Sequence, residues 1–436
     1  MGEEVSHHSR VGHLNLNGDY SELLPATLDE SERGETLLRI PYLVGSFPER
    51  WFWSDLGLYM GADGKPIPRE LPPTELDYFD EQGSVGLVGC RPAGGGTTRF
   101  GGMVAASGVG MLTADYAVEK AFRASNYVKI NGLRSEIDGL SQWLNLWAHR
   151  TTITPARDGE AFRISTTMDP PADLWLSSRL NLRATVTGTA PGSLQPEMRY
   201  TSTAKLQTYS KNAKDWAEHL RLHRAIRDLL RVAIWKPVAF RAHEVTSDRE
   251  KVVLKDGDDP RSRWCSVKTA LTRTADSVWD SKTEPLFVFS DVRSTGVLKW
   301  LTLSEQNQRG LRPFLRLLDI RDGTIEEHMT QLGIAMEALG YQAFVDSGTS
   351  EKSADNKTLE QRVRKLIGVI SACVPDIPNT YPKDFADGYN AVKHANRPEA
   401  DPTALFRHYR LGVRILRAWV AVRIGVPEDV VLARLR

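Results

Sequence analysis

Cysteine is scarce in this chain: three residues in 436, Cys90, Cys265 and Cys373, far apart and odd in number. No Cys-x-x-Cys pair occurs, which argues against a disulfide framework or a zinc knuckle and fits a reducing cytoplasm. No apolar run reaches the ~18 residues that would span a bilayer. The opening Met-Gly-Glu-Glu-Val carries acids where an export signal carries bases ahead of an apolar stretch, so a soluble, unexported, cytoplasmic protein with no membrane partner is expected. Neither sign of charge prevails: 56 Lys and Arg stand against 55 Asp and Glu, +1 net, and any nucleic-acid surface has to be local. Common cofactor motifs are missing too. The run Ala93-Gly-Gly-Gly-Thr-Thr98 lacks the Gly-Lys-Ser/Thr of a phosphate loop and leads into a strand-like stretch, so a turn is expected. His219 and His223 have a spacing that can hold zinc, but Leu220 occupies the place of the metalloprotease glutamate and no third ligand is evident. No metal and no cofactor are expected.

What is present points to two domains. A chain of 436 residues exceeds the ~250–300 at which one core stops growing, and 41% hydrophobic with 25% charged residues is the balance of a globular protein. Residues 1–34 are polar, broken by Gly and Asp, hold His7, His8 and His13, and read as a flexible lead. Over residues 35–293, short apolar or alternating runs such as Leu37–Val44, Ser84–Cys90 and Leu180–Thr187 predict a β-rich domain, with Trp51, Trp53, Trp143, Trp147 and Trp175 filling its core. Leu140, Trp143 and Leu144 predict a short helix inside it, and the apolar face from Trp216 to Ala233 a long one over 213–234, closed by Pro237. Val252–Leu254 and Leu286–Phe289 predict returning strands.

Residues 294–436 carry helical periodicity. Thr324-Ile-Glu-Glu327 is a capping box, followed by Ile325, Met329, Leu332, Met336 and Leu339 on one face and Gly340 as the expected stop. The polar run Val345–Lys357 predicts a loop, and Thr358-Leu-Glu-Gln361 a second capped helix that places Cys373 among its apolar residues. In Phe385–Pro398, Phe385, Tyr389 and Val392 share one helix face while Asp387, Asn390 and His394 share another. Pro398 disfavours helix at Arg397, so the segment should end just past His394, whose imidazole can exchange a proton at cellular pH. Asp401-Pro402 caps a last helix to Arg423 with an apolar stripe and, opposite it, Arg407, Arg410, Arg414 and Arg417 with no acid among them. From Thr358 to the end, 13 bases face 8 acids, so the basic surplus sits with the histidine, where RNA or nucleotide phosphate would want it.

A capped helix, a loop, a second helix, Asn-x-x-x-His and a closing amphipathic helix resemble a HEPN domain. From about Thr36 the chain resembles the ApeA family of anti-phage defence proteins, which join a distinctive β-rich N-terminal domain to a C-terminal HEPN domain. The resembling stretches are Ile130–Leu144, Leu298-Lys-Trp-Leu301, Ala335–Leu339 and Tyr389-Asn-Ala-Val-Lys-His394. The resemblance implies an α+β protein whose helical part is a metal-independent endoribonuclease acting in abortive infection, as a homodimer or higher homo-oligomer, with RNA as partner and a phage-derived trigger. On this sequence Asn390 and His394 match the family's polar residue and histidine. Tyr389 stands where the family has arginine, which leaves Lys393, or Arg397 or Arg407, to supply the cation, with Arg410, Arg414 and Arg417 as RNA-binding residues and Glu337 as an acid that orients a base or serves the fold. The alternative is a catalytically silent HEPN module that binds RNA, nucleotide or a protein partner.

Overall fold

The structure, a computed structural model, describes residues 9–16, 23–31, 34–53, 60, 63–99, 106–155, 162–189, 200–253, 260–273, 279–280 and 282–435. The architecture is α+β, a β-rich N-terminal region followed by an all-helical one. Two compact units divide the chain, one of residues 1–136, 207–220 and 240–275, the other of residues 137–206, 221–239 and 276–436.

The strands begin with β1 (Arg10–Asn15), β2 (Leu23–Glu30), β3 (Thr36–Leu43), β4 (Glu75–Asp80), β5 (Gly83–Val88), β6 (Arg91–Arg99), β7 (Ala106–Ala114), β8 (Tyr116–Glu119) and β9 (Ile130–Ile137). Next come α1 (Leu140–Leu144), β10 (His149–Pro155), β11 (Phe162–Met168), β12 (Leu174–Ser177), β13 (Leu182–Thr189) and β14 (Thr201–Lys214). Then follow α2 (Trp216–Ile234), β15 (Phe240–Thr246), β16 (Lys251–Val252), β17 (Arg261–Ser262) and β18 (Cys265–Lys268). In the first unit the order across the sheet is β9-β15-β18-β8-β5-β4-β1-β2-β3-β7-β6, antiparallel from β15 to β6. Alternation drives it: along β3, Leu38, Ile40 and Tyr42 are buried while Arg39, Pro41 and Leu43 face out. Leu14, Leu28, Leu76, Tyr78, Leu87 and Leu112 complete that core.

Several expectations are corrected. The flexible lead over 1–34 gives way, in its described part, to β1 and β2, while His7 and His8 lie outside the described residues. The stretch has too few apolar residues to read as core, but Leu14 is fully buried, His13 stacks on Phe79, and the Arg10 guanidinium reaches Asp80 at 2.6 Å and Glu119 at 3.0 Å. The glycine run is no turn: it lies in β6, with the register shifted between Pro92 and Gly94 and Gly94 at φ +113°, a bulge that glycine accommodates. Leu286 and Phe287 are buried but lead into a helix rather than a strand, and Val252 ends the two-residue β16. Trp51 and Trp143 are core residues, whereas Trp147 and Trp175 are exposed, Trp175 facing the Arg183 guanidinium at 5.3 Å.

In the first unit the His219 ring is consumed by the fold. Its Nδ1 pairs with the Thr208 hydroxyl at 2.8 Å and its Nε2 with the Ile130 carbonyl at 3.3 Å. That arrangement assigns the Nε2–H tautomer, with Thr208 donating to Nδ1. Among the described residues no group of three or more His, Cys, Asp and Glu side chains is placed to hold a metal ion. Burial holds His219 below the ordinary imidazole value, against the opposing bond to Ile130. The unfolded chain therefore takes up the proton first on acidification, and this histidine's contribution to stability is lost as pH falls from the ordinary imidazole range toward the lower folded value. Thermal melts at pH 7.5 and 5.5 should show a drop that is smaller in His219→Gln; equal drops would remove His219 as its source.

The second unit holds α3 (Phe289–Gln306), α4 (Gln308–Arg316), α5 (Ile325–Asp346), α6 (Glu351–Asp355), α7 (Leu359–Val369), α8 (Tyr381–Lys393), α9 (Pro402–Ile424) and α10 (Glu428–Arg434). Both capping boxes form: Thr324 with Glu327 opens α5, and Thr358 with Gln361 opens α7. Asp401 caps Thr403 and Ala404 at the start of α9. Helix α5 is the hub, packed against α4, α7, α8 and α9. It does not stop at Gly340 but runs to Asp346, with Gly348 at φ +88° beyond it. Gly340 instead permits close approach, since a β-carbon there would overlap Arg362 of α7. The expected loop 345–357 contains α6.

Candidate functional site

Helix α8 is set by its buried side. Phe385 is fully buried and Tyr389 nearly so, and the Tyr381 hydroxyl donates to the His408 carbonyl of α9 at 2.9 Å. A β-carbon on Gly388 would stand 3.2 Å from Leu405 and 3.6 Å from the His408 ring, so glycine lets α8 and α9 pack closely. The helix ends at Lys393. His394 is extended at φ −120°, ψ 113° and donates its backbone N–H to the Asn390 carbonyl at 3.0 Å, while its own carbonyl accepts from Arg397 N–H at 3.0 Å. Two backbone bonds thus fix the main chain from which an exposed imidazole projects. Asn390 is half-buried one turn earlier, and Lys393 and Arg397 are exposed. Among the described residues, none bonds to the side chains of Asn390, His394 or Arg397. Lys393 lies 5.7 Å from the Tyr389 ring centre.

Behind this turn stands α5. The Tyr389 ring occupies the space over Gly333, where a β-carbon would overlap it, and burial with the nearby Glu337 charge raises its phenol above the usual range. Glu337 accepts from Arg362 of α7 at 3.2 Å; it serves this buried arginine. Arg362 also donates to the carbonyls of Ala354 at 3.3 Å and Asp355 at 3.0 Å, joining α5, α6 and α7. A polar cleft of about 670 Å³ opens there, lined by Arg309, Glu337, Tyr341, Thr358 and Arg362 among others, and not by Asn390, Lys393 or His394.

The arginine stripe of α9 divides. Arg407 and Arg410 are exposed. Arg414 makes an ion pair with Asp376 at 3.0 Å and donates to the Leu435 carbonyl at 3.4 Å. Arg417 donates to the Val232 and Ala233 carbonyls at 3.1 and 2.8 Å, capping the end of α2, and burial brings its pKa down to about 10. The four do not form one open face. Sequence reasoning also passed over His408, half-buried between α8 and α9, whose pKa burial lowers against the opposing charge of Asp384. No local signal marks it.

Chemically, an exposed imidazole can move a proton, and an exposed lysine, here its neighbour in sequence, can hold an anion. The ApeA N-terminal domain 1 family matches residues 9–300, about two thirds of the chain. The chain belongs to the ApeA family. This membership associates it with anti-phage defence. The ApeA match ends within α3, and Asn390, Lys393 and His394 lie beyond it. No curated protein and no solved structure matches the chain. Among the described residues, no helix of this ApeA-type protein is long and apolar enough to cross a membrane. The three cysteines are free and buried, the Cys90 thiol pushed up to about 12 by burial.

Proposed function

We propose that this ApeA-type protein is a metal-independent HEPN endoribonuclease of abortive infection, working as a homodimer and held in check or triggered through its β-rich part by a phage product. The observation that carries the reading is the exposed imidazole of His394, whose backbone is bonded on both sides, one turn after Asn390 and next in sequence to Lys393. In the reaction, His394 takes the proton of an RNA 2′-hydroxyl as that oxygen attacks phosphorus. The bond from phosphorus to the 5′-oxygen breaks, the protonated His394 gives that proton up to the leaving oxygen, and a 2′,3′-cyclic phosphate remains. Lys393 supplies positive charge to the phosphorane oxygens, as a point charge where arginine would offer a fork; Arg397 and Arg407 are the further exposed cations.

A second reading is supported by Tyr389, buried against Gly333 in the place of the family's arginine: a silent module that binds RNA, nucleotide or a protein. Incubation of the purified protein with a mixed RNA pool in EDTA, with and without phage lysate, separates them. New ends bearing cyclic or 3′-phosphate support the nuclease. Absence of cleavage in both conditions, with no toxicity in infected cells, selects the silent module.

A further inference from the structure

We infer that a second site on the helical unit, an arginine-lined groove between α2 and the α3–α4 pair, grips the phosphate backbone of single-stranded RNA. Two adjoining clefts of about 500 and 340 Å³ share Asp228, Arg312 and Leu315 as a common wall. Their basic lining is Arg221, Arg224, Arg227 and Arg231 of α2 with Arg312 and Arg316 of α4, and no lysine. Three acids oppose these six, and their pairings show which cations are spent. Arg227 holds Asp228 at 2.8 Å, Arg231 holds Asp319 at 2.7 Å, and Arg221 approaches Glu305 at 3.5 Å.

Arg224 and Arg316 are left exposed, with no side-chain partner among the described residues, and Arg312 bonds only the neutral Gln308. Three uncompensated guanidiniums thus face one groove from two helices. Beneath them Arg231 is held in the wall by Asp319 and by the Leu315 carbonyl at 2.9 Å, its Nε buried without a partner. Arg221 to Arg231 spans about 15 Å of helix axis, so the cations form a track rather than a point. Guanidinium is the side chain suited to phosphate, through paired N–H donors and weak hydration. An acidic protein offers the same charge; the choice of RNA rests on the nuclease reading, to which the groove adds a place for substrate away from the His394 turn.

The experiment uses full-length protein carrying His394→Ala, so that RNA stays intact, and follows the anisotropy of a labelled mixed-sequence single-stranded RNA from 50 to 200 mM salt. Adding Arg224→Glu and Arg316→Glu should weaken binding at least tenfold and flatten the salt slope by about 1.4, the release expected for two phosphate contacts on a single strand. Both side chains are exposed, so the melting temperature should not move. Unchanged affinity and slope, no binding by the parent at 50 mM salt, or equal displacement by polyglutamate would overturn the groove as an RNA site. The same two reversals in the wild-type background keep the readings apart. Binding lost in a protein that never cleaves leaves the groove standing without the nuclease, and cleavage undiminished by the reversals leaves the nuclease standing without the groove.

Discussion

His394→Ala is expected to lower RNA cleavage by about 10²–10⁴-fold, the usual contribution of a positioned general acid or base, and to remove toxicity in infected cells. The size follows from the proton transfer assigned to the ring. The His394 backbone is bonded to Asn390 on one side and Arg397 on the other, which sets where the side chain leaves the main chain. The fold should not respond, because an exposed side chain with no internal partner contributes within about ±0.5 kcal/mol. An unchanged melting temperature with lost cleavage assigns the effect to chemistry. Full cleavage by the variant would move the proton-transfer role elsewhere, with His408 of α9 the next imidazole to test.

Gly333→Val should be the most damaging single change near the site that touches none of its polar groups. The Tyr389 ring fills the space where the new β-carbon would go, and overpacking of this kind costs about 1–3 kcal/mol. A valine recovers little of this through helix propensity, since its advantage over glycine is only a few tenths of a kcal/mol. For a unit of this size each kcal/mol corresponds to about 2–4 °C, so the melting temperature should fall by several degrees. Because Tyr389 lies in the same turn as Asn390 and Lys393, the displaced ring carries the site with it, and misplacement by about 1 Å can cost 10²-fold in rate. In a Tyr389→Leu background the valine should cost markedly less. Strictly additive effects in that double-mutant cycle would show that the ring is not what Gly333 accommodates.

Helix ends were legible in the sequence because capping is local. Thr324, Thr358 and Asp401 satisfy backbone N–H groups two or three residues away, and that chemistry is complete within one turn whatever surrounds it. The end of α8 at His394 belongs with them, as does the α+β character, since alternation along a strand such as β3 and 3.6-residue periodicity along a helix are visible residue by residue. The candidate site was readable as far as one turn of helix carries it: Asn390, Lys393 and His394.

What the side chains meet was decided only by the tertiary structure. Arg407, Arg410, Arg414 and Arg417 look alike in sequence, yet Arg417 caps carbonyls 184 and 185 residues away and Arg414 meets Asp376 38 residues back. Gly340 carried the signature of a helix stop, but packing against Arg362 used its missing β-carbon instead. The polar stretch holding β1 and β2 was recruited because Leu14, Ala26 and Leu28 joined the sheet's core and Arg10 found partners 68 to 109 residues downstream. The arginine groove likewise forms only where α2 comes beside α4. Guanidiniums take the nearest carbonyl, carboxylate or phosphate that the fold supplies, and spatial neighbours at that range are not written in a local pattern.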